Sequence, residues 1–318
     1  MGFMKRPLPL LLAATAASAL ALALTGCSGS ASPDSSSSAS SSGDTIAVVA
    51  STNVYGEIAK TVGGDHVTVT SLIADESKDP HEFEATASDQ LDIKNAQLLI
   101  ENGGGYDPFM ATLKDAAGTD APLISAVTFS PEWTGDDPSD GVEGFNEHVF
   151  YDPQTIAAVA DDIAAKLGAI DPTDAAVFTE NATALRADID AKVTPILTEI
   201  AAAHTGTEIF VTEPVPLYLA EAAGLKNVTP DAFSEAVEEG QDVPPATLLD
   251  ALTLIGGGSV KILFVNAQAG GAETTQAESK AAEAGVPVIK ASELLPEGDT
   301  YVSWMTDMAT QIKTALGS

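Results

Sequence analysis

Val260-Lys261-Ile262-Leu263-Phe264-Val265-Asn266 (residues 260–266) is the stretch that decides the fold. It is short, apolar and partly β-branched, with Gly256-Gly257-Gly258 before it and Asn266 closing it. A strand buried on both faces of a parallel sheet reads this way. Runs of the same kind lie at Thr45–Ala50, Val67–Leu72, Gln97–Glu101, Pro122–Ser125, Glu208–Thr212 and Val286–Lys290. Helical patterns separate them. Ile156, Val159, Ala160, Ile163 and Leu167 share one helix face, and Tyr301, Met305, Met308, Ile312 and Leu316 share another. Strand–helix alternation predicts an α/β fold with mostly parallel sheets flanked by helices. Residues 45–318 exceed the usual size of one compact domain, so two lobes are expected.

The middle of the chain breaks the alternation. From Pro172 to His204 there is neither a strand signal nor a glycine, while Ile189, Val193, Ile196, Leu197 and Ile200 repeat at helical spacing. Asp171-Pro172 has the form of an N-cap and first helical position. One helix of roughly 30 residues, about 45 Å long, is predicted here, kinked at Pro195. The expected organisation is therefore a first lobe over 45–170, a linking helix over 171–205 and a second lobe over 206–318. No internal sequence repeat is visible.

The N-terminus reads as an export signal. Lys5 and Arg6 precede an apolar run from Pro7 to Leu24, and the chain's only cysteine, Cys27, follows Leu24-Thr25-Gly26. Leu-Thr-Gly-Cys resembles the bacterial lipobox, which implies a signal peptide over 1–26, lipid on Cys27 and a place at the outer face of the cytoplasmic membrane. An uncleaved membrane anchor is the competing reading, since about 20 apolar residues can span a bilayer. Residues 28–43 are almost entirely Ser, Ala and Gly, so 27–44 is expected to be a flexible tether.

Formal charge is −32, with 14 basic and 46 acidic residues. Loss of Lys5 and Arg6 with the signal takes it to −34. Such acidity disfavours nucleic acid and a basic patch on anionic lipid. It fits simple solubility and a surface that gathers cations. With Cys27 lipidated no disulfide can form. Apolar residues at 45% are sufficient for ordinary cores.

Two of the four histidines sit where ligands collect. His81 lies in Asp79-Pro80-His81-Glu82-Phe83, after the strand at Val67–Leu72 and before a helix capped near Ser88 or Asp89. His148 lies in Asn146-Glu147-His148-Val149-Phe150-Tyr151-Asp152-Pro153, before a helix starting near Gln154. Open α/β sheets bind ligands outside the carboxyl ends of their strands, so the two loops are expected to converge on one crevice. His66 opens a strand and reads as a surface residue. His204 ends the long helix, where a cation suits the dipole.

Asp-Pro-His-Glu-Phe-Glu-Ala-Thr-Ala-Ser-Asp (79–89) resembles the first metal-ligand motif of the zinc/manganese solute-binding lipoproteins of ABC transporters, and Glu-His-Val-Phe-Tyr-Asp-Pro (147–153) is similar to the second. The resemblance runs through residues 45–318 in order. It implies two lobes that each supply two ligands to one metal ion, an ABC permease and its ATPase as partners, and a monomer. His81 and His148 match the first two ligands. A third ligand, His or Glu in the family, follows the first strand of the second lobe, where Glu213 stands. A fourth is an acidic residue shortly before a Tyr at the start of the last helix, and Asp299 in Gly298-Asp299-Thr300-Tyr301 matches it. Glu213 before Pro214, and Asp299 before the last helix, equally suit helix caps. Glu82 and Glu147 flank the histidines and are alternative carboxylates.

Two imidazoles and two carboxylates, without thiolate, exclude a copper(I) or iron–sulfur site and suit Zn2+ or Mn2+. Carboxylates capable of bidentate binding favour manganese, whereas the Irving–Williams order favours zinc. Residues 136–146 carry no run of histidines. There is no His-Glu-x-x-His, Gly-x-Ser-x-Gly or P-loop, and four protein ligands leave no open position of the kind catalytic zinc keeps. A binding protein rather than an enzyme is expected. Competing readings are a receptor for another ligand such as an iron chelate, a metal-dependent surface enzyme, and a cell-adhesion module with structural metal. No cluster of aromatic or basic residues is present to receive an anionic chelate.

Overall fold

In a computed structural model, residues 45–75, Lys78 and 80–317 are described. Cys27 and the residues expected to form a signal peptide and a tether lie outside this description. Among the described residues, no helix is long and apolar enough to cross a membrane.

The first lobe is built from β1 (Ile46–Thr52), α1 (Asn53–Gly63), β2 (Val67–Ile73), α2 (Ala87–Asn95), β3 (Leu98–Glu101), α3 (Phe109–Ala117), β4 (Leu123–Ser125) and α4 (Pro153–Ile170). Its strands lie in the order β2-β1-β3-β4, all parallel. Two helices, α5 (Ala175–Lys192) and α6 (Thr194–His204), connect it to the rest of the chain. The second lobe holds β5 (Glu208–Val211), α7 (Leu217–Ala222), β6 (Lys226–Asn227), α8 (Asp231–Glu238), α9 (Pro245–Gly256), β7 (Ile262–Asn266), α10 (Ala272–Ala284), β8 (Val288–Ala291) and α11 (Tyr301–Ala315). Its sheet runs β6-β5-β7-β8, again all parallel. The two sheets have the same strand order, a structural repeat with no counterpart in the sequence.

The α/β class with two parallel sheets is the one expected, and the seven apolar runs become β1–β5, β7 and β8. The strand β6 is the addition. Two residues are too few to leave an apolar pattern. The linking helix differs from a single rod. Asp171 caps the end of α4 instead of starting a helix, and its Oδ1 accepts from Thr173 N at 2.9 Å. The helical ladder then breaks between Lys192 and Thr194. Pro195 has no N–H to give to the preceding turn, and its ring crowds the carbonyl four residues back. Val193 keeps right-handed helical dihedrals (φ −92°, ψ −54°), so the interruption is local.

Caps define the other helix starts near the crevice. Thr86 and Asp89 form a reciprocal capping box for α2, with the cap two to three residues ahead of the expected position. Asp152 accepts from Gln154 N at 3.0 Å with Pro153 in the first turn of α4. Thr300 and Ser303 form the box of α11.

One apolar core crosses the lobe boundary. It joins Val54, Tyr55, Ile58, Phe150 and Ile156 to Ile209, Val211, Tyr218, Ile289 and Tyr301. The helix α11 returns from β8 to pack on α5, α6 and α1, with Trp304 edge-on to Tyr151 at 5.1 Å between ring centroids. Each such fully buried aromatic or aliphatic side chain contributes about 1.5–3 kcal/mol. Polar contacts follow the same seam. Asn53 exchanges hydrogen bonds with the backbone of Leu295 (2.7 and 2.9 Å). The hydroxyl of Tyr301 donates to Phe150 O (3.0 Å), Tyr151 to Ser292 O (2.9 Å) and Tyr218 to Asn146 O (2.7 Å).

Candidate metal centre

Four loops at the carboxyl ends of the strands supply the polar groups of the crevice. His81 sits in a single 3-10 turn, Pro80–Glu82, after β2. His148 immediately precedes another, Val149–Tyr151, that leads into α4. Glu213 lies two residues beyond β5 and Glu293 two residues beyond β8. Parallel pairing of Val211 with Phe264 and of Asn266 with Ala291 sets these two carboxylates on either side of Asn266.

His148 is fully buried. Its Nδ1 lies 2.8 Å from Asn146 Oδ1. An amide oxygen only accepts, so Nδ1 carries the proton and Nε2 presents its lone pair. Nε2 is buried and makes no hydrogen bond among the described residues. Burial, and then the neighbouring His81, push the imidazole pKa well below its usual value, which keeps the ring neutral. An oriented, neutral imidazole with a bare nitrogen is the state a metal requires.

His81, Glu147 and His148 each place one ligand atom within 4.8 Å of the others. Glu293 completes the cluster from the opposite lobe. Its Oε2 stands 3.6 Å from His81 Nε2 and 4.0 Å from His148 Nε2, and its side chain is fully buried. Glu213, 4% exposed, is joined to Glu293 through Asn266, whose Nδ2 donates to Glu213 Oε2 at 2.5 Å and to Glu293 Oε1 at 2.6 Å. Burial raises the pKa of Glu147. Glu238, the last residue of α8, faces the same acidic group. Burial first, then Glu147, Glu213 and Glu293, push its carboxyl up to about 8. A cleft of about 940 Å³ beside this group has His81, Glu147, Glu238 and Gln268 on its walls.

The first lobe braces its histidine from below. Gly103, Gly104 and Gly105 all have positive φ (79°, 70° and 91°), and a Cβ on Gly103 would meet Pro138 O at 2.7 Å. This tight turn, read from the sequence as a turn, lets the Asp107 carboxylate accept from Asn102 N and Gly103 N (2.7 and 2.8 Å). Asn102 Nδ2 in turn donates to Glu147 O at 2.8 Å, and Tyr55 donates to Asn102 Oδ1 at 2.5 Å. Tyr106 lies edge-on to His81 at 5.0 Å and to His148 at 5.8 Å. Beneath them burial, and then Asp107, push the Glu101 carboxyl up to about 8.

The structure thus brings together His81, His148, Glu147 and Glu293, and ties Glu213 to them through Asn266. It does not bring Asp299 to this group. Asp299 Oδ1 accepts from Ser303 Oγ at 2.9 Å in the first turn of α11, and the residue lines a separate hollow with Asn53, Glu57 and Leu295. His66 pairs with Asp174 at 2.8 Å, and His204 ends α6 with its Nε2 buried. Sequence reasoning passed over Glu293, Glu238 and Asn266. A signal for Glu293 existed in its spacing, because it stands two residues past its strand as Glu213 does.

Two α/β lobes meet here, with His81, Glu147 and His148 on one wall and Glu213, Glu238 and Glu293 on the other, an arrangement of interlobe binding-protein type. The chain matches over residues 48–315 the family described as the zinc-uptake complex component A, periplasmic. The chain belongs to this family. Among relatives, the manganese-binding lipoprotein MntA of Halalkalibacterium halodurans is 23% identical over 147 residues, 46% of this chain and 47% of that protein. The manganese ABC transporter substrate-binding lipoprotein PsaA of Streptococcus pneumoniae is 28% identical over 156 residues, 44% of this chain and 47% of that protein. These matches span about half the length of either relative. Among solved structures, the manganese-bound S38A mutant of a periplasmic metal-binding protein from Candidatus Liberibacter asiaticus aligns with a TM-score of 0.70 at 21% identity, over 85% of this chain and 99% of the other. A crystal structure of ZnuA aligns at 0.69 and 19% identity with the same coverage.

Proposed function

We propose that this chain is the extracytoplasmic substrate-binding lipoprotein of an ABC importer, anchored through Cys27, which captures one Zn2+ or Mn2+ ion between its lobes and passes it to a permease driven by an ATPase. The observation that carries this reading is the meeting of two imidazole Nε2 atoms with the Glu293 carboxylate, at 3.6 and 4.0 Å, across the lobe boundary. Names of the relatives, which speak of manganese and zinc, support the choice of cation.

His81 and His148 serve as the nitrogen ligands, and Glu293 and Glu213 as the oxygen ligands. Glu147 and Glu238 stand beside them as further carboxylates. Asp299 belongs to the start of α11 in this reading. A cation here offsets the mutual repulsion of carboxylates that share a buried cleft. The same negative field opposes an anionic chelate. No donor is needed beyond those four side chains, so the site suits holding a metal rather than activating water on it. The apolar core and hydrogen bonds along the lobe seam favour small rearrangements of the second-lobe loops over wide opening. The chain acts as a monomer, and its tether keeps it near the permease at raised effective concentration.

Equilibrium dialysis of the metal-stripped protein against Zn2+ and Mn2+, with elemental analysis, tests the proposal. One equivalent of either ion is expected, with loss of that equivalent in His81→Ala and His148→Ala. Absence of stoichiometric binding by the unaltered protein would overturn it.

A further inference from the structure

The side chain of Asn266 controls how the second lobe can present its carboxylates. Asn266 closes β7 and is 5% exposed. Its Oδ1 accepts from Gln268 N at 2.9 Å, which fixes which end of the amide faces the cleft. The Nδ2 group has two N–H bonds, and both are committed, one to Glu213 Oε2 and one to Glu293 Oε1. Each carboxylate therefore turns one oxygen toward the amide. The other oxygen of Glu293, Oε2, is the one that faces His81 and His148.

Bidentate binding by either glutamate would engage the oxygen that the amide already holds. Any turn of the carboxylate that brings both oxygens to one ion weakens a hydrogen bond to a buried N–H, which costs free energy. Gln268 reinforces the arrangement, since its Oε1 accepts from Glu293 N at 2.9 Å and its Nε2 donates to Ser292 Oγ at 2.8 Å. In the ligand set proposed above, with Glu147 beside the shell and not in it, two imidazoles and two single carboxylate oxygens make a four-coordinate set. That geometry is native to Zn2+, whereas Mn2+ is served by more numerous oxygen ligands in octahedral sites.

We infer that Asn266 is a specificity-determining positioning residue, which holds Glu213 and Glu293 monodentate and so tips the site toward zinc over manganese. This rests on the metal-capture reading and adds to it the coordination number and the preferred cation. It touches no metal itself.

The test uses the full chain and its Asn266→Ala variant. Cobalt(II) is the spectroscopic probe, because four-coordinate cobalt absorbs intensely in the visible and six-coordinate cobalt weakly. The unaltered protein is expected to give the intense spectrum. Asn266→Ala is expected to bind one equivalent of metal, to lose visible intensity, and to move the Zn2+/Mn2+ competition ratio toward manganese by at least about tenfold, the lower bound for an outer-shell partner. A weak, six-coordinate cobalt spectrum in the unaltered protein overturns the inference, whether or not the variant folds. So does an unchanged competition ratio in a folded variant. If the unaltered protein binds no metal, the capture reading itself fails, an outcome distinct from both.

Discussion

Replacing Glu293 by Gln, with Asp299→Asn as its companion, separates the two acidic residues that compete for the same role. Glu293→Gln keeps the shape of the side chain and an oxygen for Asn266 Nδ2. It removes the negative charge 3.6 Å from His81 Nε2 and 4.0 Å from His148 Nε2. Losing a direct oxygen ligand is expected to weaken binding by at least about 100-fold, the upper end of the effect of an outer-shell partner. At a metal concentration about 1,000 times the unaltered Kd, bound ion adds roughly 4.1 kcal/mol of stability, and a 100-fold weaker site at that concentration adds about 1.4 kcal/mol. The lost ~2.7 kcal/mol corresponds to roughly 5–10 °C in Tm for a chain of this size. Asp299→Asn keeps a group that can accept from Ser303 Oγ and is expected to stay within about 0.5 kcal/mol. Metal-dependent thermal denaturation with bound metal measured in parallel reads both variants. The metal-free Glu293→Gln protein should be no less stable than its parent, because it buries one carboxylate fewer beside Glu213 and Glu238. A collapse of metal stabilisation in Asp299→Asn, with Glu293→Gln unaffected, would refute the reasoning.

Further expectations concern orientation, the lobe seam and pH. Asn146→Ala removes the acceptor that fixes the His148 tautomer and is expected to cost about 10–100-fold in metal affinity with stoichiometry intact. Calorimetric titration checks it, and unchanged affinity would show that packing alone orients the ring. Tyr301→Phe deletes the hydroxyl that donates to Phe150 O, at about 1 kcal/mol or slightly more, seen as a lower denaturant midpoint with an unchanged slope. Glu101 and Glu238 both have carboxyl pKa values raised by burial to about 8, from 4.5. Between these limits the folded metal-free chain binds protons the unfolded chain has lost. Their contribution is therefore complete below about pH 4.5 and lost as pH rises through about 8. Below about pH 6.5 the depressed pKa of buried His148 acts in the opposite sense, so scanning calorimetry should show Tm of the metal-free protein falling between about pH 6.5 and 8, less steeply in Glu238→Gln. A Tm that rises with pH there would contradict the assignment.

Much of this molecule is legible from its residues one at a time. The apolar runs that became β1, β3, β5 and β7 are buried on almost every residue, so their composition alone marks them, and the edge strands β2 and β8 bury alternate residues. Two loop histidines before helix starts, His81 and His148, stand out in a chain with four. What escaped was decided by neighbours far away in sequence. The strand β6 exists only because Lys226 and Asn227 pair with Glu208 and Ile209. The break at Val193 needed Pro195 to end one ladder, an outcome that local propensity leaves open between kink and stop.

The acidic half of the crevice shows the division most clearly. Glu293 and Asp299 lie six positions apart, both acidic and both near the start of α11. The sequence, read through the family resemblance, points to Asp299, and residue type alone gives no local reason to choose Glu293. Which carboxylate enters the cleft depends on the path taken after β8, and that path is set by Gln268 on the Glu293 backbone, by Asn53 clamping Leu295 from the other lobe, and by Asn266 reaching two strands' ends at once. Residue type and local spacing determine which groups can bind a cation and roughly where each falls along the chain. Only parallel register and the packing of two lobes decide which of them share one point in space, because hydrogen bonds between segments 25 to 242 residues apart leave no periodic trace in the sequence.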